Sequence, residues 1–388
     1  MAYTARLRTA IGAVRATLAR LGIDVQDPRF RTHGEHTPDP DAPLVLVACS
    51  GGRDSMALAA TSRIVCASLG VRCGVVIIDH AMQDGSADVA RDAADRCRML
   101  GLDPVVVERI DVPVDRRGAE AAARDARYVA IARIAGRLDA ACVLLAHTRD
   151  DQAETVLIGL LRSGGTDALA GMPAVFERDG VRYARPLLER TTRDDTTGIC
   201  RDLDIVWWDD PTNGDGVCDD CRVAVDDADD VDGADTAVDD AWRTLPLRSR
   251  IRQRLIPYLR DFTGGDIAAH LADASRSLRA DKAYLDAQAD AALERVRVDA
   301  AGDVLRLSAT RLAAEHPAIR RRVIAHALGG TGIEAGARQI ESVERLAADW
   351  HGQGAVSFSS GYSAFRQKHV IRVCQDGAHA NRRRSRSD

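Results

Sequence analysis

Between residues 44 and 146, four short apolar runs alternate with stretches of helical period, and few architectures accept that rhythm. The runs LVLVAC (44–49), CGVVII (73–78), PVVVE (104–108) and ACVLLA (141–146) read as strands covered on both faces, because a half-solvated strand would alternate apolar with polar residues. Helix-period segments near 54–69, 86–101 and 118–137 lie between them. Strands joined by helices form parallel βαβ units. The expected fold class is therefore α/β, a doubly wound parallel sheet whose ligand sits beyond the carboxyl ends of its strands. Those ends are polar: Ser50-Gly51-Gly52 follows the first run, Asp79-His80 the second, and His147 with Asp150 and Asp151 the fourth.

The flanking segments complete the organisation. Residues 2–22 place Leu7, Ile11, Val14, Leu18 and Leu21 on one helical face, and 23–42 read as a loop. Helical pattern returns near 150–162 and 193–203, and Pro211 and Asn213 then close a domain expected over 1–213. Residues 214–240 hold eleven Asp and one Arg, so 214–244 is expected to be an acidic, flexible insertion. A mainly helical region is expected over 245–375, with helices near 245–262, 266–299, 309–328 and 335–349, a strand near 303–308, and a hairpin-like alternation around Gly361 over 354–373. The tail 376–388 is basic and expected to be disordered.

Charge follows the same division. The chain carries 53 Lys and Arg against 58 Asp and Glu, a net −5, but outside 214–240 the count is 52 against 47 and the body is mildly basic. Its cations are almost all arginine, the better residue for forked phosphate contacts, with Lys282 and Lys368 the two exceptions. No apolar run approaches the ~18–20 residues of a membrane span. The first residues lack the apolar stretch of a secretory signal, so a cytoplasmic location without a membrane partner is expected. Nine cysteines, scattered and odd in number, suggest reduced thiols.

Three blocks carry chemistry. Ser50-Gly51-Gly52-Arg53-Asp54-Ser55 lies between a strand and a helix. Its glycines let the backbone close around an anion, while Ser50, Ser55 and the N–H groups of the helix start supply donors. Ser and Asp could also act there simply as caps, and the string lacks the lysine of a Walker A loop. The second block, Gly118 to Tyr128, sets Arg124 and Arg127 three apart on one helical face, which a solvated helix would equally allow. The third, His147 to Thr155, gathers Asp150, Asp151 and Glu154 at a helix start, where acids also favour the dipole.

The first string resembles the pyrophosphate loop of the N-type ATP pyrophosphatases, the PP-loop ATPases of adenine nucleotide alpha-hydrolase-like fold. Together with IDHAMQ (78–83), GAEAAARDARY (118–128), AHTRDDQAETVLIGLLRSGG (146–165), LAGMP (169–173), RPLLERTTRD (185–194), Asp210-Pro211-Thr212-Asn213 and LRSRIRQRLIPYL (247–259), it makes the chain similar to the tRNA(Ile)-lysidine synthase family, densely over 44–260 and thinly beyond. The resemblance implies a ligase that adenylates the C2 oxygen of the wobble cytidine of tRNA(Ile) with a CAU anticodon. Free L-lysine then displaces AMP, giving lysidine and changing codon recognition from AUG to AUA. It implies ATP held by Ser50, Gly51, Gly52, Arg53, Asp54, Ser55, Asp79 and His80, with Mg²⁺ partly on Asp54. Catalysis would fall to Asp54, Arg124, Arg127, Asp150 and Glu154. Lysine and tRNA would be held by His147, Asp150, Asp151, Glu154, Arg248, Arg250 and Arg252. Oligomeric state is left open, a homodimer included.

Departures from the family pattern are three. Arg248-Ser249 stands where Arg-Asn is common, 214–240 interrupts what is usually a direct passage, and the chain runs only briefly past 354–373, so tRNA selection is expected to rest on the remaining helices. Cys218-Asp219-Asp220-Cys221 is a single CxxC and a weak metal signal. The rival readings are another PP-loop tRNA-modifying enzyme, such as a 2-thiolation enzyme, and a non-catalytic nucleotide- or RNA-binding module. Deleting 216–238 is expected to change stability by less than about 1 kcal/mol, because loop closure costs only ~0.6 kcal/mol per doubling of length. Melting temperature and product formation by the deletion variant check this.

Overall fold

The computed structural model describes residues 3–32, 36–81, 85–111, 119–163, 165–209, 245–300, 302–359 and 361–376. The 214–240 stretch with Cys218 and Cys221, the turn at 210–213, Gly118, and 377–388 of the tail lie outside them. Two compact units divide the chain, Met1–Ser277 and Leu278–Asp388.

The first unit runs α1 (Ala5–Arg20), β1 (Leu44–Ala48), α2 (Arg53–Leu69), β2 (Arg72–Asp79), α3 (Ser86–Met99), β3 (Val105–Arg109), α4 (Ala119–Arg137), β4 (Ala140–Leu144), α5 (Arg149–Arg162), α6 (Thr166–Leu169), β5 (Val175–Arg178), β6 (Val181–Ala184) and α7 (Arg193–Asp202). The unit continues with α8 (Leu247–Arg250), which passes through a π-helical turn (Ile251–Leu255) into α9 (Ile256–Thr263) and then the first residues of α10 (Ile267–Val296), whose residues after Ser277 belong to the second unit. The sheet order is β3-β2-β1-β4-β6-β5, parallel except for the edge strand β5.

Alternate residues of the apolar strands serve opposite faces, as a sheet covered on both sides requires. Val45, Val47, Val75 and Ile77 join Leu7, Val14 and Leu18 of α1 and Met56, Leu58 and Val65 of α2 in one core. Leu44, Leu46, Val76 and Val143 pack on the other face with Tyr128, Ile131 and Ile134 of α4 and with Tyr183. The chain winds one way from β1 to β3 and the other way from β4, so the crevice of the fold opens beyond β1 and β4.

Strands β5 and β6 are absent from the sequence reading, being four residues each and too short to show a period. Asp179 (φ 52°) and Gly180 (φ 73°) join them in a tight two-residue turn, and Asp-Gly between FER and VRYA is the signal for it. The run 247–263, grouped with the C-terminal region by sequence, packs in the first unit: Ile251, Ile256 and Ala268 bury against Ala153 and Leu157 of α5.

The second unit holds β7 (Leu305–Ser308), α11 (Ala309–Ala314), α12 (Pro317–Gly329), α13 (Ala337–Ala348), β8 (Val356–Ser357), β9 (Tyr362–Gln367) and β10 (Val370–Gln375), in an antiparallel sheet of order β7-β10-β9-β8. Pro317 splits the helix expected over 309–328. The stretch 354–373 reverses twice, near Gly361 and again at Lys368, where φ is +55°. Among the described residues no helix is long and apolar enough to cross a membrane. Seven described cysteines are buried.

Candidate active site

Three helix N-termini meet in the crevice: those of α2, α5 and α7. Gly51 has φ +81°, and an added Cβ would come within 2.9 Å of the Ala93 Cβ, so only glycine fits between the end of β1 and α3. Ser55 Oγ donates to the Gly52 carbonyl at 2.8 Å and accepts from the Ser50 N–H at 3.2 Å, closing the loop on itself; Trp208 N–H donates to the Gly51 carbonyl at 2.9 Å. The loop is thus fixed at the start of α2, where a helix N-terminus favours an anion.

Helix α5 starts with a capping box, Asp151 Oδ2 accepting from the Thr148 N–H at 2.8 Å. Helix α7 repeats the device with Thr192 and Asp195. Asp150 Oδ2 accepts from the Arg193 N–H at 2.8 Å, and Thr196 Oγ1 donates to Asp54 Oδ1, so the three termini are cross-linked.

The acids foreseen from sequence come together here, each already engaged. Glu154 is fully buried; its carboxylate accepts from Arg252 Nε at 2.8 Å and from Arg193 Nη1 and Nη2 at 3.3 Å, with Arg248 Nη1 at 3.7 Å. Asp151 Oδ1 accepts from Arg193 Nη2 at 3.0 Å. Burial alone would push the Asp151 carboxyl up, but Arg193 and the Thr148 donors outweigh it and bring it down to about 2. Burial raises Asp54 above the usual carboxylate range, and the like charge of Asp151 adds to it. Arg53 and Arg193 lie 3.7 and 3.9 Å from that carboxylate.

A second group is cationic. Burial lowers the Arg127 guanidinium, and Arg124 adds to this; among the described residues no carboxylate pairs with either. Arg185, 4% exposed, donates from Nε to His147 Nδ1 at 3.2 Å and from Nη1 to the Pro173 carbonyl at 2.6 Å, and lies over the Phe176 ring. Burial, with the charge of Arg185, depresses His147 to about 3, so its imidazole is neutral with the proton on Nε2. His80 is lowered by burial and by Arg127, and its buried Nδ1 has no partner among the described residues. Asp79 accepts from the Ala81 N–H at 2.9 Å and stands 3.8 Å from Arg109. Arg250 lies on the other side of α8 from Arg248 and makes no hydrogen bond to the acids.

Arg193 and Arg185 have no role in the sequence reading. The tetrapeptide Thr-Arg-Asp-Asp occurs at both 148–151 and 192–195, a repeat that marks the second helix start. No group of three His, Cys, Asp or Glu side chains among the described residues could hold a metal. One carboxylate, Asp54, beside a phosphate cradle fits a Mg²⁺ that takes most of its ligands from phosphates and water.

Residues 29–221 match the PP-loop domain family and residues 307–373 the TilS substrate binding domain family. The tRNA(Ile)-lysidine synthase of Bifidobacterium longum subsp. infantis is 54% identical over 98% of this chain and 100% of its own length. The chain belongs to the tRNA(Ile)-lysidine synthase family. A synthase of that name from Salinispora tropica is 40% identical over 87% of this chain and 93% of its own. Among solved structures, the U34-tRNA thiolase NcsA from Methanococcus maripaludis with its [4Fe-4S] cluster is similar at TM-score 0.48 and 14% identity, over 71% of this chain and 79% of that one.

The depressed His147 generates a pH prediction. Its ordinary pKa of 6.5 falls to about 3 on folding, so below pH 6.5 the unfolded chain binds the extra proton and stability declines with falling pH. The decline between pH 6.5 and 5 is about 2 kcal/mol, and His147→Asn, which keeps an acceptor for Arg185, removes it. Denaturant titrations at the two pH values check this; an unchanged slope for the variant assigns the dependence elsewhere.

Proposed function

We propose that the chain, like the family to which it belongs, ligates lysine to C2 of the wobble cytidine of tRNA(Ile) with a CAU anticodon, in the cytoplasm. The reading rests above all on one observation: the glycine loop at 50–55 and the acid-bearing start of α5 are cross-linked through α7, so a polyphosphate and an amine would share one crevice. In the first step the cytidine C2 oxygen attacks the α-phosphorus of ATP and pyrophosphate leaves. The loop N–H groups and the start of α2 would hold that leaving group. Mg²⁺ arriving with the nucleotide would rest on Asp54 and neutralise charge. Arg124, Arg127 and Arg185, free of carboxylate partners among the described residues, would bind the transferred phosphate.

In the second step the lysine amine attacks C2 and AMP leaves with the former C2 oxygen. The ammonium must first give up a proton, for which the Asp150 carboxylate would be the acceptor. Asp150 and Asp151 would receive the ammonium, while Arg193, Arg248 and Arg252, fixed by Glu154, place like charge beside it and favour the neutral nucleophile. A 2-thiolation reaction needs a thiol pair at the crevice; Cys49 and Cys200 there are buried, and Cys200 donates to the Arg53 carbonyl.

Two substitutions test the roles. Asp54→Asn lowers adenylation ~10²–10³-fold without loss of fold. Glu154→Gln releases Arg193, Arg248 and Arg252 to compete with the lysine ammonium for Asp150 and Asp151, and raises the lysine requirement ~30-fold or more with part of adenylation kept. Labelled ATP and labelled lysine, followed separately on tRNA, read the two steps. Normal pyrophosphate release by Asp54→Asn refutes the loop assignment; lost adenylation with unchanged lysine dependence in Glu154→Gln moves the acids to the ATP site.

A further inference from the structure

Helix α9 carries an aromatic pair that the fold does not use. Tyr258 and Phe262, four apart, are 62% and 75% exposed, with ring centroids 6.1 Å apart and ring planes 21° from parallel. The opposite side of the same helix supplies its packing, Ile256 and Leu259 lying with Ala153 and Leu157 of α5. Exposed Arg254, four residues before Tyr258, continues the stripe, and the run 248–260 holds five arginines and no acid. Two rigid rings displayed to water cost solvation without adding to the core, whereas flat rings flanked by guanidinium groups match unpaired bases and their phosphates.

The position is also constrained. Arg252 reaches Glu154 from the preceding π-helical turn, which anchors the helix to the crevice. Tyr258 and Phe262 are six and ten residues further on, about 9 and 15 Å along the axis at ~1.5 Å per residue. Stacked nucleotides advance ~3.4 Å each, so a strand that follows the helix axis from the crevice would reach the rings about three to four nucleotides on.

We propose that Tyr258 and Phe262 form a stacking platform for unpaired bases of the RNA substrate, on the strand that leads into or out of the modified nucleotide. This rests on the function proposed above and adds a base-binding subsite to it. A single-stranded loop is the occupant, because a paired helix would not offer its base faces to two neighbouring rings.

The test uses the full chain, the unmodified tRNA(Ile) transcript with a CAU anticodon, and the anticodon stem-loop with single abasic substitutions in the loop. Tyr258→Ala/Phe262→Ala is expected to weaken stem-loop binding about 5- to 150-fold with unchanged melting temperature, while Tyr258→Phe and Phe262→Tyr stay within about threefold. One or two abasic positions should weaken binding to the parent chain but not to the alanine variant, the signature of a direct base contact. Unchanged affinity, or abasic losses that simply add to those of the variant at every position, overturns the platform. So does a dimer of the parent chain that the alanine variant dissolves with RNA affinity intact, since the rings would then face a second copy. If the parent chain forms no lysidine and does not prefer this stem-loop to an unrelated one, the functional reading itself fails; if it does both and the variant is indifferent, only the platform fails.

Discussion

A carboxylate without access to water organises this crevice. Glu154 is enclosed by α5 and receives guanidinium groups from α7 and from the π-helical turn after α8. Leaving such a charge unpaired would cost about 3–5 kcal/mol, so the three elements are committed to one arrangement. Replacing the whole set by apolar residues could yield comparable stability. What the ion network supplies that packing would not is direction, since forked hydrogen bonds fix the angle of each guanidinium as well as its distance.

From that fixed point the site divides into two electrostatic halves. On one side, Asp54, Asp150, Asp151 and Glu154 are shared among Arg193, Arg248 and Arg252, and the converging helix starts add positive potential. On the other, Arg127 and Arg185 lie beside His80 and His147, whose imidazoles burial keeps neutral. A neutral imidazole adds hydrogen-bonding capacity without competing for the anion that those arginines can bind. The ligation proposed for this chain would ask for both halves: a phosphate would be received and released, and an amine held and deprotonated.

Much of this was legible in the chain. The four strands, the loop at 50–55 and the acidic start of α5 all appear as local patterns, because strand burial, glycine conformation and helix capping depend on a few neighbouring residues. Less was legible where partners are distant in sequence. Arg193 stands 39 residues from Glu154, and nothing in its own surroundings except the repeated Thr-Arg-Asp-Asp says what it will meet. The short strands β5 and β6 escaped periodicity, although the Asp-Gly turn between them was visible.

Local period and turn chemistry set the α/β class, the order of the strands and helices around the loop at 50–55, and the chemical types gathered at the sheet edge. Which charges neutralise one another emerges with the packing of the helices. The acids at 150–154 read alone as sites for a cation; folded, they hold Arg193, Arg248 and Arg252, while Arg127, whose spacing alone would equally allow a solvated helix face, is half-buried without a carboxylate among the described residues. The reason is that ion pairing in a crevice depends on distances between elements far apart in the chain and on the water they exclude, and neither quantity is written in local sequence.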